Sequence, residues 1–522
     1  MPDSQEIRPP LSSAVSRRST LIGLASAAAW LIVPTTATAA PSRLPGRPLL
    51  GFRPVPISDA NSAAVPAGYR IRVAGRTEVG ANPATVQLPE IVTPDRTPVT
   101  FSGPARATDP ELRSGPRVTA LLDAASIRPT PWGTYLACER DFGAYFGVRD
   151  TRWRPTETDL RYGLGQALRP RPANELDPRF DLAAHPTEPY RYGWVVELSV
   201  DPDGTALRPV KRTALGRFDH VGVTVTVADG RVVVYSGDQE DGGYLYKYVG
   251  AHDWQHERGR GRSPLDHGVL HVASFADDGA GRWLPLTHGQ GPLTVENGWR
   301  DQADVLLRAR MAADALGATA LDHPRHVAVD PTDGTAYAAM AGGGGDVRCR
   351  PDADAGRPGR ALPRHPNPYG LILRWHEDGN GASATSFRWS LLVSGGDPAR
   401  DRSVQLDATN MFGRPSGLSV DPDGRLWIQA GGATGDQGRS ASVHRGFGND
   451  AILAADPASG EIRRFFTAPR NREITRAVVA ADQRSMFVTV RAPRGTPATR
   501  KSRSSQVTFV VTRRDGGVIG AS

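Results

Sequence analysis

The chain has 522 residues, a net charge of +8, 57 Gly, 44 Pro and two cysteines. Gly and Pro are abundant but follow no three-residue period, and aromatic residues run along most of the sequence, which excludes a collagen-like or wholly disordered chain. The positive charge does not indicate nucleic acid. All but three of the 63 basic residues are arginine, scattered along the chain without a basic helix or an aromatic RNA-binding motif.

At the N-terminus, Arg17 and Arg18 precede an apolar stretch from Leu21 to Val33, and Ala37-Thr38-Ala39 offers a small-residue cleavage pattern. This reads as a twin-arginine signal peptide over residues 1–40, with a general secretory signal as the alternative. The stretch is too short and too rich in Ala and Gly for a membrane span, and no later segment reads as one. Export to the periplasm, cell surface or medium is expected, with no membrane span in the mature form. Residues 41–115 are rich in Pro, Ala and Thr and read as an extended arm with one strand at Tyr69 to Val73.

From residue 116 to 522 one signal recurs: a β-prone run, a turn carrying Asp, Pro or Gly, and a second alternating run. Val223 to Val227 enters Asp229-Gly230 and then Val232 to Tyr235. His326 to Val329 enters Asp330-Pro331, Gly417 to Val420 enters Asp421-Pro422, and Ile452 to Ala455 enters Asp456-Pro457. Asp201 to Gly204 and Asp421 to Gly424 lack the ligand array of a calcium loop and read as plain turns. Asp301 to Gly317 has helical spacing, carried by Val305, Leu306, Ala309, Met311, Ala312 and Leu316. Many hairpins and few helices predict an all-β chain, a β-propeller with loop insertions near 252–264, 341–363 and 431–447. Stacked β-sandwiches are the competing architecture.

Several segments carry a family likeness. Trp132-Gly133-Thr134-Tyr135-Leu136-Ala137-Cys138-Glu139-Arg140, followed by Tyr145-Phe146-Gly147, resembles the "WGT-W-L-x-CEE…YFG" signature of the PhoX-type alkaline phosphatases. Tyr192 to Glu197 is similar to "YGWVVE", Ala214 to His220 to "ALGRFxHE", Tyr235 to Lys247 to "YxGDD…YLYKF", and Asn367 to Trp375 to "NPYGHIxRW". The likeness spans roughly residues 120–495 with the motifs in a fixed order. It implies a propeller-like fold, twin-arginine export, and hydrolysis of phosphate monoesters at a cluster of iron and calcium ions.

The resemblance assigns Cys138, Glu139, Asp238, Glu240 and Glu473 as metal-ligand candidates, and His220, Arg325 and Ser416 as pocket residues. Ferric ions take carboxylates and thiolate, calcium takes hard oxygen donors, and together the ions clamp a phosphoryl group. Several motif acids are missing, however. Val221 follows the "GRFxH" histidine in place of Glu, Gln239 replaces the second Asp of "GDD", and Arg325 stands where "RPE" has its carboxylate. Ala339-Met340-Ala341 replaces "TNN", Ser416 replaces the Asp of "PDG", and Arg491 to Gly495 replaces "QHPGE".

The expected site is therefore a weakened or degenerate phosphatase centre. A non-catalytic propeller binding an anionic ligand or a partner, and a calcium-dependent hydrolase such as a lactonase, are the alternatives. Cys349 has no family counterpart and reads as a free thiol or a partner for Cys138.

Overall fold

The structure is a computed structural model that describes residues 48–78, 90–92, 99–108, 112, 120–122, 125–164, 177–200, 207–342, 368–432 (apart from 380, 382, 383 and 403), 445–491 and 505–521. The signal segment, Cys349, the turn at 201–204 and most of the run 491–495 lie outside the described residues. Strands are numbered along the chain. The N-terminal part supplies β1 (Tyr69–Glu78), β2 (Glu90–Val92), β3 (Thr100–Ser102) and β4 (Ala120–Leu122).

Five antiparallel sheets follow. The first is β5 (Ala125–Pro129), β6 (Tyr135–Cys138), β7 (Val195–Val200) and β8 (Leu207–Arg212), extended by β3 in parallel. The second is β9 (His220–Ala228), β10 (Arg231–Asp238), β12 (Leu245–Asp253) and β13 (Gly268–Phe275). The third is β16 (Pro324–Val329), β17 (Ala336–Met340), β18 (Leu371–Glu377) and β19 (Ser386–Ser394). It joins the second through β14 (Ala280–Pro285), which pairs with both β13 and β19. The fourth is β20 (Gly413–Val420), β21 (Leu426–Gly431), β22 (Ala451–Asp456) and β23 (Glu461–Thr467). The fifth is β24 (Glu473–Val479), β25 (Ser485–Arg491) and β26 (Ser505–Arg513), completed by β1 from the other end of the sequence. Two ribbons, β2 with β4 and β11 (Asp241–Gly243) with β15 (Leu321–Asp322), complete the strands.

This is the propeller-like, mostly β architecture the hairpin series predicts. The apolar runs of β10, β17 and β21 are continuous because those strands are covered on both faces, whereas β25 in the fifth sheet alternates. Val232 and Val234 pack with Leu136 and Val195 of the first sheet, while Val233 between them packs with Leu373 and Trp375 of the third. Ala339 and Ile372 likewise meet Leu418 and Ile428, and Trp427 and Ile452 meet Ile474 and Val488.

Two local expectations change. Asp301 to Gly317 forms two short helices rather than one, α4 (Gln302–Leu307) and α5 (Ala309–Ala315); α1 (Pro104–Thr108), α2 (Glu157–Arg161) and α3 (Trp254–Gly259) are the other helices of comparable length described. Arg308 leaves the helical region (φ −107°, ψ 37°) as its Nε turns back to donate to Asp304 Oδ1 at 2.8 Å. Nor is 252–264 an irregular loop. It holds α3, whose N-terminal cap Asp253 accepts from His256 N at 2.9 Å.

Candidate functional site

The first strands of the sheets (β5, β9, β16, β20 and β24) face one another and run in the same direction. Gly222 of β9 lies against the His326 ring of β16, the Thr224 hydroxyl donates to Val327 O at 2.5 Å, and Arg476 Nη2 donates to Ile127 O at 2.9 Å. First strands therefore begin, and second strands end, at one end of the propeller. Cys138 ends β6, His220 and Val221 begin β9, Asp238 ends β10, Arg325 and Ser416 sit early in β16 and β20, and Glu473 begins β24. The topology thus places these residues at corresponding strand ends in five different sheets.

Their individual environments differ. Cys138 is fully buried, and burial pushes its thiol up to about 12, opposed by the positive charges of Arg128 and Arg140. Glu139 is turned into the first sheet, where it accepts from Lys211 Nζ at 2.8 Å and from Trp194 N at 3.2 Å. Lys211 is fully buried, donates also to Arg191 O at 2.5 Å and lies 4.5 Å from the Tyr192 ring centroid. Both His220 nitrogens are engaged, Nδ1 with Ser236 Oγ at 2.8 Å and Nε2 with Gly216 O at 3.0 Å. Burial lowers its pKa to about 4, so it is a neutral structural ring at neutral pH.

Asp238 is held by Arg310, a residue the sequence reading passed over. Nε donates at 2.7 Å and Nη2 at 2.5 Å in a bidentate pair. The same guanidinium reaches Asp219 at 3.2 Å and Glu240 at 3.7 Å. Burial, with the carboxylates of Asp141, Asp238 and Glu240 nearby, raises Asp219 to about 7 against the pull of Arg310. Ser416 Oγ is 3.5 Å from Gln429 O, and Glu473 pairs across the sheet with Arg491 at 3.0 Å.

Arg325 is the electrostatic centre of the group. Burial, then repulsion from Arg140 and Arg414, lowers it to about 10, with Asp141 and Glu473 pulling the other way. Its Nε is buried without a hydrogen-bond partner, and no carboxylate lies within ion-pair distance of its guanidinium among the described residues. Three non-glycine residues around it adopt left-handed backbone: Asp141 (φ 48°), His323 (φ 52°) and Arg414 (φ 49°). Such strain costs about 1 kcal/mol or more per residue and collects at functional sites. Gly237 fixes the approach of the neighbouring strand, since a Cβ there would sit 2.5 Å from Arg325 O. A separate cavity of about 310 Å³ lies under the N-terminal arm, lined by residues including Arg53, Val55 and Val65, and holds none of these side chains.

The family model for alkaline phosphatase PhoX matches residues 90–494. The chain belongs to the PhoX family. Among solved structures, Pseudomonas fluorescens PhoX in complex with vanadate, a transition-state analogue, superposes with a TM-score of 0.78 at 30% identity, covering 91% of this chain and all of that one. Looser likenesses include a Xanthomonas campestris gluconolactonase (TM-score 0.23, 12% identity, 61% of this chain and 78% of that one). A second is a β-xylosidase/α-arabinofuranosidase from a compost metagenome (TM-score 0.32, 11% identity, 76% of this chain and 93% of that one). A search of curated protein sequences gives no significant match. Family and fold support a phosphatase-like function and a phosphate ester as the substrate class.

The candidate ligands for the metal cluster that the resemblance implies are engaged otherwise among the described residues. Glu139, Asp238 and Glu473 each face a cation, and Arg310 approaches Glu240. Val221, Gln239 and Arg325 supply no anionic donor where the motifs carry acids. Among the described residues no group of three or more His, Cys, Asp and Glu side chains is arranged to hold a metal ion.

Proposed function

We propose that this chain is an exported PhoX-family protein whose pocket binds a phosphate-like oxyanion through Arg325, with the family's metal-dependent phosphatase activity weakened or lost. One observation carries the reading. A half-buried guanidinium whose buried Nε has no partner stands where the family motif has a carboxylate. Guanidinium donors match the geometry of phosphate oxygens, and a buried cation without a counter-charge gains from an incoming anion. The P. fluorescens relative holds vanadate, which supports a phosphate-shaped ligand for a pocket of this fold. Arg140 and Arg414 add to the positive potential, while Asp141 and Glu473 keep the site from being uniformly cationic.

Export rests on Arg17-Arg18 and on the family. No described helix is long and apolar enough to cross a membrane. Changing both arginines to Lys is expected to retain the precursor in the cell; unchanged secretion would overturn the twin-arginine assignment.

The pocket is tested on protein exported and purified without chelators. Elemental analysis should find little or no iron, p-nitrophenyl phosphate should turn over weakly or not at all, and Arg325→Gln should weaken binding of inorganic phosphate. Stoichiometric iron, with hydrolysis lost on Cys138→Ala, would show that other residues replace the missing ligands.

A further inference from the structure

A second positive cluster lies further along the same inner strands. Arg128 Nη2 is 2.9 Å from His326 Nε2, and Ser126 Oγ is 3.4 Å from that nitrogen. His326 Nδ1 faces Val327 O at 3.1 Å, which places the ring proton on Nδ1 and makes Nε2 the acceptor for Arg128. The histidine is thus neutral and contributes no charge. Arg476 donates through one Nη2 bond to Ile127 O at 2.9 Å.

Neither guanidinium has a carboxylate within ion-pair distance among the described residues. The charged groups acting on Arg128 are Arg476, which repels it, and Cys138, whose thiol is protonated. Those acting on His326 are the same two arginines, and burial with their repulsion lowers it to about 3. Burial and repulsion from Arg476 also lower Arg128 to about 10. Arg128 and Arg476 are nevertheless only half-buried by surface area, so an anion from solvent can reach them. Two like charges on facing inner strands, each with most of its N–H donors free of a protein partner among the described residues, form an arrangement that an anion between them would complete.

We propose that Arg128 and Arg476, with the Ser126 hydroxyl, form a second oxyanion subsite in the central channel, beyond Arg325, that takes a tetrahedral anion such as phosphate or sulfate. The subsite stands independently of the Arg325 reading. Arg128 lies three residues along β5 from Ala125, the register partner of Cys138, which puts this subsite further along the inner strands than Cys138. A phosphate held at the mouth would have a second cationic station along the axis.

The test is isothermal titration of the full mature chain with inorganic phosphate, and with sulfate in a parallel arm. Two phosphates per chain are expected, falling to one in Arg128→Gln/Arg476→Gln and to one in Arg325→Gln. If the double variant binds as many phosphates as the parent at unchanged affinity, the channel subsite is wrong. If Arg325→Gln does so, the mouth site fails and the channel subsite stands. Phosphate binding without sulfate binding would narrow the ligand to phosphate or the phosphoryl end of an ester. Removing two uncompensated charges should leave the double variant at least as heat-stable as the parent in phosphate-free buffer. Should it fail to fold, Arg476→Lys keeps the charge but loses the planar fork, and a drop of about tenfold in affinity at one site is expected; no drop there would overturn the subsite.

Discussion

Replacing Arg325 by Gln tests the pocket thermodynamically as well as by binding. Burial and the neighbouring guanidiniums lower Arg325 from its ordinary 12.5 to about 10. At 1.36 kcal/mol per pH unit this corresponds to about 3 kcal/mol of folding free energy lost in holding the charge. The side chain is only half-buried by area, and its stem packs against neighbours, so the net cost falls to about 1–3 kcal/mol. For a cation whose pKa is lowered by folding, that cost is present throughout neutral pH and relaxes only as pH rises through about 10. Arg325→Gln should therefore be more stable than the parent in phosphate-free buffer. Phosphate at about 100 times its dissociation constant should stabilise the parent by about 2.7 kcal/mol per site, and the variant should lose the share belonging to this site. Thermal midpoints of both proteins, with and without phosphate at matched ionic strength, give the comparison. A variant that melts below the parent without phosphate, yet keeps the full phosphate increment, would refute the assignment of Arg325 as an uncompensated, anion-seeking cation.

Three further outcomes follow from local geometry. Lys211→Met leaves the buried Glu139 carboxylate without its cation and should cost about 3–5 kcal/mol, most of it recovered on adding Glu139→Gln, as read from urea midpoints. Gly237→Ala places a methyl 2.5 Å from Arg325 O and 2.8 Å from Pro324 O, so the start of β16 must shift; a loss of about 1–3 kcal/mol and weaker phosphate binding by calorimetry are expected. The third concerns acid. His220 and His271 are lowered by burial to about 4 and His326 to about 3, so on acidification below their ordinary 6.5 the unfolded chain takes up three protons that the fold refuses. Asp219 and Asp450, raised by burial to about 7 and about 6, oppose this by binding protons in the fold first. Burial also lowers His323, while the raised Glu188 and Asp421 act with Asp219 and Asp450; stability should fall as pH drops from 6 to 4.5, and His271→Asn should lessen that fall in urea midpoints.

The fold was readable because turn chemistry and strand periodicity are local. Asp229-Gly230 sits between β9 and β10 where the turn residues place it, and Gly417 to Val420 becomes the inner strand β20. The helix at 301–317 was readable in kind but not in continuity, since the turn of Arg308 back to Asp304 is a side-chain choice that apolar spacing does not encode. The site was readable only where a motif carried it. Cys138, Arg325 and Glu473 stand out against the family pattern, and so could Arg140, which occupies the second Glu of "CEE". Arg310 was hidden because an arginine within a helical pattern reads as a solvated position; only its full burial against Asp238 reveals its partner. Arg128 and Arg476 were hidden for a different reason. A propeller strand covered on both faces is apolar on both, so period-two patterning does not mark which residues turn towards the axis.

The pattern of change argues for a reversal of sign rather than simple decay. Two motif positions persist with structural roles: Gly237 against the Arg325 backbone, and Glu139, buried against Lys211. The pocket positions instead lose acids at Val221 and Gln239 and exchange them for cations at Arg140 and Arg325. An undirected loss of a metal centre would more readily leave neutral residues, because burying a guanidinium near two others is itself unfavourable. Three non-glycine residues around Arg325 also adopt left-handed backbone. A fold tolerates that combined cost most readily when a ligand of opposite charge offsets it. That is why the anion-binding reading accounts for these residues better than an inert remnant of the metal site.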